Sequence, residues 1–564
     1  MKQSIPFRGP KNASAYWQTF SIGPLHTLKK ICLHLICILC ALPLLLSTGA
    51  RAQVKVPISI PDGDLAGSSM NGVDQFLGIP YAAAPLRQLR WSAPQAVTPW
   101  SGVRDASQFQ SPCAQAVSYP GPDDRSVSED CLFLNVYRPA EDQVHHPLPV
   151  MVWIHGGSNI DGSGKDYDPT AMVKQNSIIV VTINYRLGVF GFLPVPFKKE
   201  SNGSESGNFA LMDQQAALRW VQKNIAAFGG DPEKVTVAGE SAGAFDICSQ
   251  LASPQAAGLF QQVVLESYDC TQATRATAYS NLQKIASNLR CEQTDPSRLG
   301  TCLMSQTTRA LLDASEDISS FGAYVDRDIL PVQPEIAIAT GNWNRVPVLL
   351  GSNQDESALV TFGVLERQKK WPLDQPSYVN ILKGAFPTSA TEVETEYDSS
   401  EYPTPFSALS GIYTDTNDQV GCDESRQADI LAKATSVYRY EFADPNTPVQ
   451  LPLIKRYGHL SLGAYHSGEL QYLFKVDSFS GPLTSQQHAL ATRMDSYWAA
   501  FIKSGKPIVN GDGWPTYSSE DKTFLVLSPA GDSIAQDFDR EHHCLFWATH
   551  PKPVPLSSAK DNAE

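Results

Sequence analysis

Three residue types in this chain are set out for acyl transfer. In "VTVAGESAGAF" (235–245), Ser241 stands between small residues, just after an apolar β-branched run. A serine hydroxyl is a weak nucleophile. It needs a base to take its proton, a third group to orient that base, and N–H donors for the oxyanion. Downstream, "GSNQDES" (351–357) offers two carboxylates, Asp355 and Glu356, and "GAYHSGEL" (463–470) offers His466. The order Ser, acid, His suits a nucleophile elbow, where the serine occupies a sharp turn between strand and helix. Ala242, the next residue, gives one oxyanion N–H at a helix start. The other donors are expected in "WIHGGSN" (153–159), which also follows an apolar strand. His459, seven residues before His466, is a rival base, and Asp355 a rival acid.

These groups need a scaffold that brings distant segments to one edge. "LPVMVWIHGG", "SIIVVTINYRLG", "KVTVAGES", "QQVVLES" and "VPVLLGSNQDE" read as strands. The second lacks polar alternation, so both its faces are buried. Between them, "LMDQQAALRWVQKNIAAF" has helical spacing of Leu211, Ala217, Leu218, Val221 and Ile225, and "AGAFDICSQLA" continues the elbow as helix. Alternating strands and helices predict an α/β fold, a mostly parallel central sheet with helices on both faces. Sites on such sheets lie beyond the carboxyl ends of the strands. The "HGGS", "GESAG" and "NQDE" stretches all fall there.

The bulk properties narrow the class. The 564 residues carry a net charge of −14 without a basic block, which argues against a nucleic-acid partner. Residues 1–52 read as a targeting segment. Lys29 and Lys30 precede the apolar "ICLHLICILCALPLLLS", and Ala50 and Ala52 fit a cleavage site before Gln53. The apolar run is short for a membrane span and holds His34 and Pro43. A cleaved signal peptide, hence a secreted or periplasmic protein, is expected; an anchor over 31–46 is the alternative. One domain is expected over 53–564. Beyond the leader, eight cysteines remain: Cys113, Cys131, Cys248, Cys270, Cys291, Cys302, Cys422 and Cys544. An even number in an oxidising compartment suggests bridges. The absence of C-x-x-C pairs among them speaks against a zinc cluster, and no cofactor is expected.

Taken together, "FLGIPYAAAPLRQLRW", "SEDCLFLNVYRP", "MVWIHGG", "VTINYRLGVFGFL", "LMDQQAALRWVQKNIAAFGGDPEKVTVAGESAG", "VPVLLGSNQDE", "GAYHSGELQYLF" and "WAAFIKSGKP" resemble the type-B carboxylesterases. These are α/β-hydrolases that include bacterial para-nitrobenzyl esterases, fungal lipases and cholinesterases. The resemblance covers nearly the whole chain after the leader. It implies a serine carboxylesterase acting on small-molecule esters, with Ser241 as nucleophile, Glu356 as acid and His466 as base. It also implies an oxyanion hole of Gly157, Ser158 and Ala242, and bridges Cys113–Cys131, Cys291–Cys302 and Cys422–Cys544. A lipase, a specialised detoxifying esterase and, less favoured, a non-catalytic binding protein on the same fold are the alternatives.

The chain departs from the family pattern near the site. Ser158 replaces the common Gly or Ala, at a cost if the backbone there needs positive φ. Asn159 stands where an aromatic often follows, and "ESY" (266–268) replaces "QSG". The Cys113–Cys131 loop has Tyr119 but no tryptophan, which disfavours the cation–π recognition of cholinesterases. It also lacks an apolar face for a lipase lid. Glu129, Asp130 and Arg186 read as ion-pair residues and His155 as a turn-packing histidine. Cys248 and Cys270 are either buried free thiols or a fourth bridge, which their places on the elbow helix and after the adjoining strand permit but do not require.

Overall fold

A computed structural model describes residues 54–116, 126–140, 146–199, 205–268, 270–293, 295–318, 320–416, 420–449, 453, 456–457, 460–476, 482–509, 513–554 and 556. The targeting segment, Tyr119 in the first cysteine loop, and His459 lie outside the described residues.

The apolar runs become one 13-stranded sheet. Seven strands lie side by side and parallel through its centre. In spatial order they are Ile179–Ile183, Leu148–Ile154, Gly230–Glu240, Gln262–Glu266, Val348–Asn353, Val437–Phe442 and Phe524–Leu527. Antiparallel strands flank them. Phe133–Pro139, Val73–Pro80, Gly63–Met70 and Val54–Ile60 extend one edge, and Ser533–Ala535 closes the other.

Side chains alternate across a strand with period two, and both faces here are covered. Val150, Val152, Val235, Val237, Val263 and Leu265 join a core with the helices Phe209–Asn224 and Ala242–Ala252. Met151, Trp153, Ala238, Val264 and Leu349 join a second core with Met172, Leu490, Met494 and Trp498. This explains why the central strands show no polar alternation. A third cluster gathers the helices Ala358–Arg367, Gln375–Ala385 and Pro405–Asp415 with Tyr465.

The register levels the strand ends. Gly239 pairs with Ile154, Glu240 with Glu266, and Glu266 with Gly351. The segments that leave these strands therefore meet on one edge of the sheet.

Four disulfides are formed: Cys113–Cys131, Cys248–Cys270, Cys291–Cys302 and Cys422–Cys544. The open question about Cys248 is thus answered by a bridge, with Cα atoms 5.1 Å apart. It links the elbow helix to the segment after Gln262–Glu266. Among the described residues, no helix is long and apolar enough to cross a membrane.

Candidate active site

Only Ser241 separates the strand Gly230–Glu240 from the helix Ala242–Ala252. The turn is made by φ +53° and ψ −127° at the serine itself. Backbone of this kind costs a non-glycine residue of order 1–3 kcal/mol and persists only where its surroundings impose it. The flanking glycines show the imposition. A Cβ on Gly243 would lie 2.1 Å from the Ile154 carbonyl oxygen, and one on Gly239 2.7 Å from the same atom. The Ser241 N–H donates to the Glu266 carbonyl at 2.9 Å, which pins the elbow to the next strand.

The loop after Leu148–Ile154 lies against this elbow. A Cβ on Gly156 would approach Ser241 Cβ to 3.1 Å. Three successive residues then have positive φ: Gly157 at +101°, Ser158 at +53° and Asn159 at +59°. The cost foreseen for a serine at 158 is therefore present. The N–H groups of Ile160 and Asp161 both donate to the Gly157 carbonyl, at 2.9 and 3.2 Å, closing the turn. Among the described residues, no acceptor takes the N–H groups of Gly157, Ser158 or Ala242.

The expected acid and base come from two further loops. Glu356 Oε2 is 2.6 Å from His466 Nδ1. Its other oxygen, Oε1, accepts from Ser267 Oγ at 2.6 Å and from the Asn353 N–H at 2.8 Å. Asp355 turns the other way and accepts from the Ala464 N–H at 2.9 Å, so it holds the histidine loop rather than the ring. The Glu356 side chain is 2% exposed and His466 28%, as a proton relay open to substrate requires.

His466 Nε2 faces a second carboxylate, Glu240 Oε1, at 3.2 Å. Glu240 also accepts from Ser467 Oγ at 2.6 Å. Burial lowers the affinity of the ring for its proton, but Glu240 and Glu356 outweigh burial and lift the ring pKa to about 10. Burial likewise raises Glu240, against the pull of His466 and Ser467. The proton belongs to the pair. Two more buried carboxylates stand behind them. Glu266 accepts from Trp498 Nε1 at 2.8 Å, and burial pushes it up to about 8. Glu469 accepts from Asn353 Nδ2 and is raised by burial and then by Glu240. In this resting arrangement the Ser241 hydroxyl makes no hydrogen bond to the ring, a bond that often tightens only with substrate.

A cavity of about 200 Å³ opens beside Ser241. Phe192, Phe245 and Phe321 line it with Ser158, Gln272 and Asn281, and none of the described residues in its walls is charged. His466 is not among the described residues that line it.

The remaining expectations sort themselves. His155 is buried and stacked on Tyr185 with ring centroids 4.5 Å apart, and burial drives its pKa down to about 4. It packs the turn. Glu129 pairs with Arg90 and Arg186 with Asp213, at 2.8 and 2.7 Å. Asp130 differs: it is exposed and forms no ion pair among the described residues. Sequence reasoning passed over Glu240, Ser267 and Ser467, although each adjoins a motif it used. The signal was "GESAG", "ESY" and "YHSG" read for their polar neighbours. Among the described residues no cluster of His, Cys, Asp and Glu could hold a metal.

Comparison with known proteins places the chain in a family. Residues 52–547 match the model of the carboxylesterase family. Para-nitrobenzyl esterase of Bacillus subtilis (strain 168) is 34% identical over 484 residues, covering 82% of this chain and 93% of its own. Human (Homo sapiens) cocaine esterase is 31% identical over 563 residues, covering 93% and 96%. A solved PNB esterase structure superposes with a TM-score of 0.69 at 31% identity, over 86% of this chain and 99% of that one.

Proposed function

The chain belongs to the carboxylesterase family and is a carboxylic ester hydrolase of the α/β-hydrolase fold, and we propose that it works through an acyl-enzyme on Ser241. The observation that carries this reading is the strained elbow serine directly after Glu240, whose carboxylate lies 3.2 Å from Nε2 of a histidine whose Nδ1 lies 2.6 Å from the buried Glu356.

As Ser241 Oγ attacks the ester carbonyl, its proton passes to His466 Nε2. The oxyanion accepts from the N–H groups of Gly157, Ser158 and Ala242. Collapse breaks the bond from carbonyl carbon to alkoxy oxygen, and Nε2 returns the proton to the leaving alcohol. Water then attacks the acyl-enzyme and gives its proton to Nε2. Collapse releases the acid and restores the serine. Glu356 fixes the ring tautomer and stabilises the imidazolium. The alcohol takes its proton from His466 Nε2, and the uncharged lining of the cavity beside Ser241 supports placing the acyl group there.

We further propose one catalytic domain over 53–564 that is exported after cleavage near Ala52. The four disulfides support an oxidising compartment. N-terminal sequencing of the protein made in its host should begin at Gln53; a membrane-retained chain starting upstream would refute it. The mechanism is tested with an organophosphate. It should label Ser241 and abolish p-nitrophenyl ester turnover, and Ser241→Ala should be both inactive and unlabelled. Label on another serine, with Ser241→Ala still active, would move the nucleophile.

A further inference from the structure

Asp246 is a buried carboxylate that the reaction scheme does not use. It lies on the elbow helix, five residues after the nucleophile, and is fully buried. No cation pairs with it among the described residues. Its oxygens instead meet two amides: Oδ2 accepts from Gln214 Nε2 at 2.6 Å, and Oδ1 from Asn159 Nδ2 at 3.2 Å. A buried carboxylate without a counter-ion is expensive, so its placement calls for a cause.

The cause lies in what Asn159 belongs to. It is the third of three successive positive-φ residues, and the two before it carry two of the proposed oxyanion donors. The third donor, Ala242, begins the helix that holds Asp246. Three donors on two separate elements must converge within a few tenths of an ångström to be worth their full effect. The Asn159 side chain bridges those elements. Its Nδ2 reaches Asp246, and its Oδ1 lies 3.2 Å from Tyr185 OH, sharing that hydroxyl's single hydrogen with the His155 carbonyl at 2.7 Å. Gln214 in turn accepts from Gln250 Nε2 at 2.9 Å, so Asp246 is braced from behind by the neighbouring helix.

We infer that Asn159 and Asp246 form a clamp that positions the oxyanion loop against the nucleophile helix, a pair of positioning residues through which Gly157 and Ser158 reach catalytic register. This rests on the Ser241 mechanism above. It also gives the departure at residue 159 a physical reason: an amide there can bond to the helix, whereas an aromatic ring cannot. With both carboxylate oxygens taken by N–H donors, the ionised form fits these contacts and the protonated form would leave its own O–H facing a donor. Burial still raises the pKa to about 7, against the pull of Gln214 and Asn159.

The polarity of the clamp supplies its test. Asn159→Asp sets two carboxylates against each other. In an Asp246→Asn background the same change is harmless to the contact. The amide introduced at position 246 would then accept from Gln214 through its oxygen and donate to the carboxylate introduced at position 159, whose other oxygen keeps Tyr185. Aspartate, like asparagine, also tolerates the left-handed backbone required there. Four proteins complete the cycle: wild type, Asn159→Asp, Asp246→Asn and the double variant. The readouts are kcat, KM and the affinity of a trifluoromethyl ketone, which binds only as a serine adduct with an oxyanion. Asn159→Asp should lower kcat and ketone affinity in parallel by ~10–100-fold with KM little changed, and the double variant should recover at least about tenfold of that loss. Asn159→Ala, which removes the bond without repulsion, should fall in the same direction. Thermal melting shows that each variant is folded. Equal damage from Asn159→Asp in both backgrounds, or folded Asn159→Ala with kcat and ketone affinity within about twofold of wild type, would overturn the clamp. Ser241→Ala in the same series separates the outcomes: residual turnover there sinks the serine mechanism itself, whatever the clamp variants do.

Discussion

Glu240, the residue immediately before Ser241, holds a carboxylate oxygen 3.2 Å from His466 Nε2, the ring nitrogen that receives the serine proton in the proposed mechanism. The base is therefore flanked by carboxylates on both nitrogens. That arrangement favours imidazolium, which stabilises the charged state formed during attack but also holds a proton that must be absent before attack begins.

The pH profile should expose this. A protonated ring is no base, so turnover is present above the ring pKa and is lost as pH falls through it. Burial pulls that pKa down, and Glu240 and Glu356 push it above the ordinary histidine value. Glu240→Gln removes one of the two charges. The acidic limb of kcat/KM should then move to lower pH, by about one unit or more for a charge this close. A limb that stays in place, or moves up, would show that Glu240 does not act on the ring.

Ser267 should be a supporting member of the relay. Its hydroxyl donates to Glu356 Oε1 at 2.6 Å, beside the Asn353 N–H at 2.8 Å. Hydrogen bonds to charged groups contribute about 1.5–3 kcal/mol, so Ser267→Ala should slow kcat by roughly tenfold or more and leave KM nearly unchanged. Glu356→Ala should cost more, and Ser241→Ala and His466→Ala more still, because the three act as a unit. Single-turnover measurement of p-nitrophenol release ranks them; a Ser267→Ala enzyme slower than Glu356→Ala would reverse the assigned roles.

Acyl preference should follow the cavity. Its volume of about 200 Å³ and three phenylalanines suit a ring-sized or short acyl group. A cavity of about 150 Å³ already holds benzene. Across p-nitrophenyl esters, kcat/KM should peak at short or benzoyl-sized acyl groups and decline with long chains. A carboxylate-bearing acyl group such as hemisuccinyl should be poor, since none of the described residues lining the cavity is charged to receive it. A rising trend out to palmitoyl would refute this placement of the acyl group.

The Cys248–Cys270 bridge should serve stability before chemistry. Both cysteines are buried, at 0% and 1% exposure, behind the elbow rather than in the cavity. Cys270→Ser opens a loop of 22 residues and should lower stability by about 2–4 kcal/mol. Turnover of the folded fraction should change far less. Thermal melting and active-site titration together decide it, and a loss of kcat at unchanged melting temperature would assign the bridge to catalysis.

Much of the site was legible because its parts are local. A serine between glycines, or a glycine pair after an apolar run, declares a turn whose crowding the chain itself creates: Gly239 and Gly243 are needed by one oxygen, that of Ile154. The parallel centre of the sheet followed from strands without polar alternation. The choice between Asp355 and Glu356 did not follow, since adjacent residues on one loop differ only in which segment they meet, Ala464 or His466. Contacts between loops were equally opaque. Nothing near residue 240 announces residue 466, and nothing near 159 announces 246. Asp130 misled because it shares a stretch with Glu129, yet only Glu129 points inward, to Arg90.

The proposed acid and base come together across 110 residues of sequence, and the histidine loop lies inside the chain segment closed by Cys422–Cys544. The nucleophile elbow, by contrast, is complete by residue 252. Synthesis from the N-terminus therefore builds the reactive serine long before it builds the group that activates it. On the proposed triad, a chain still emerging from the ribosome carries its nucleophile without its base. On the same triad, competence waits for the final third of the chain, whose histidine loop is tied down where the Asn353 side chain donates to the Tyr465 carbonyl at 2.8 Å.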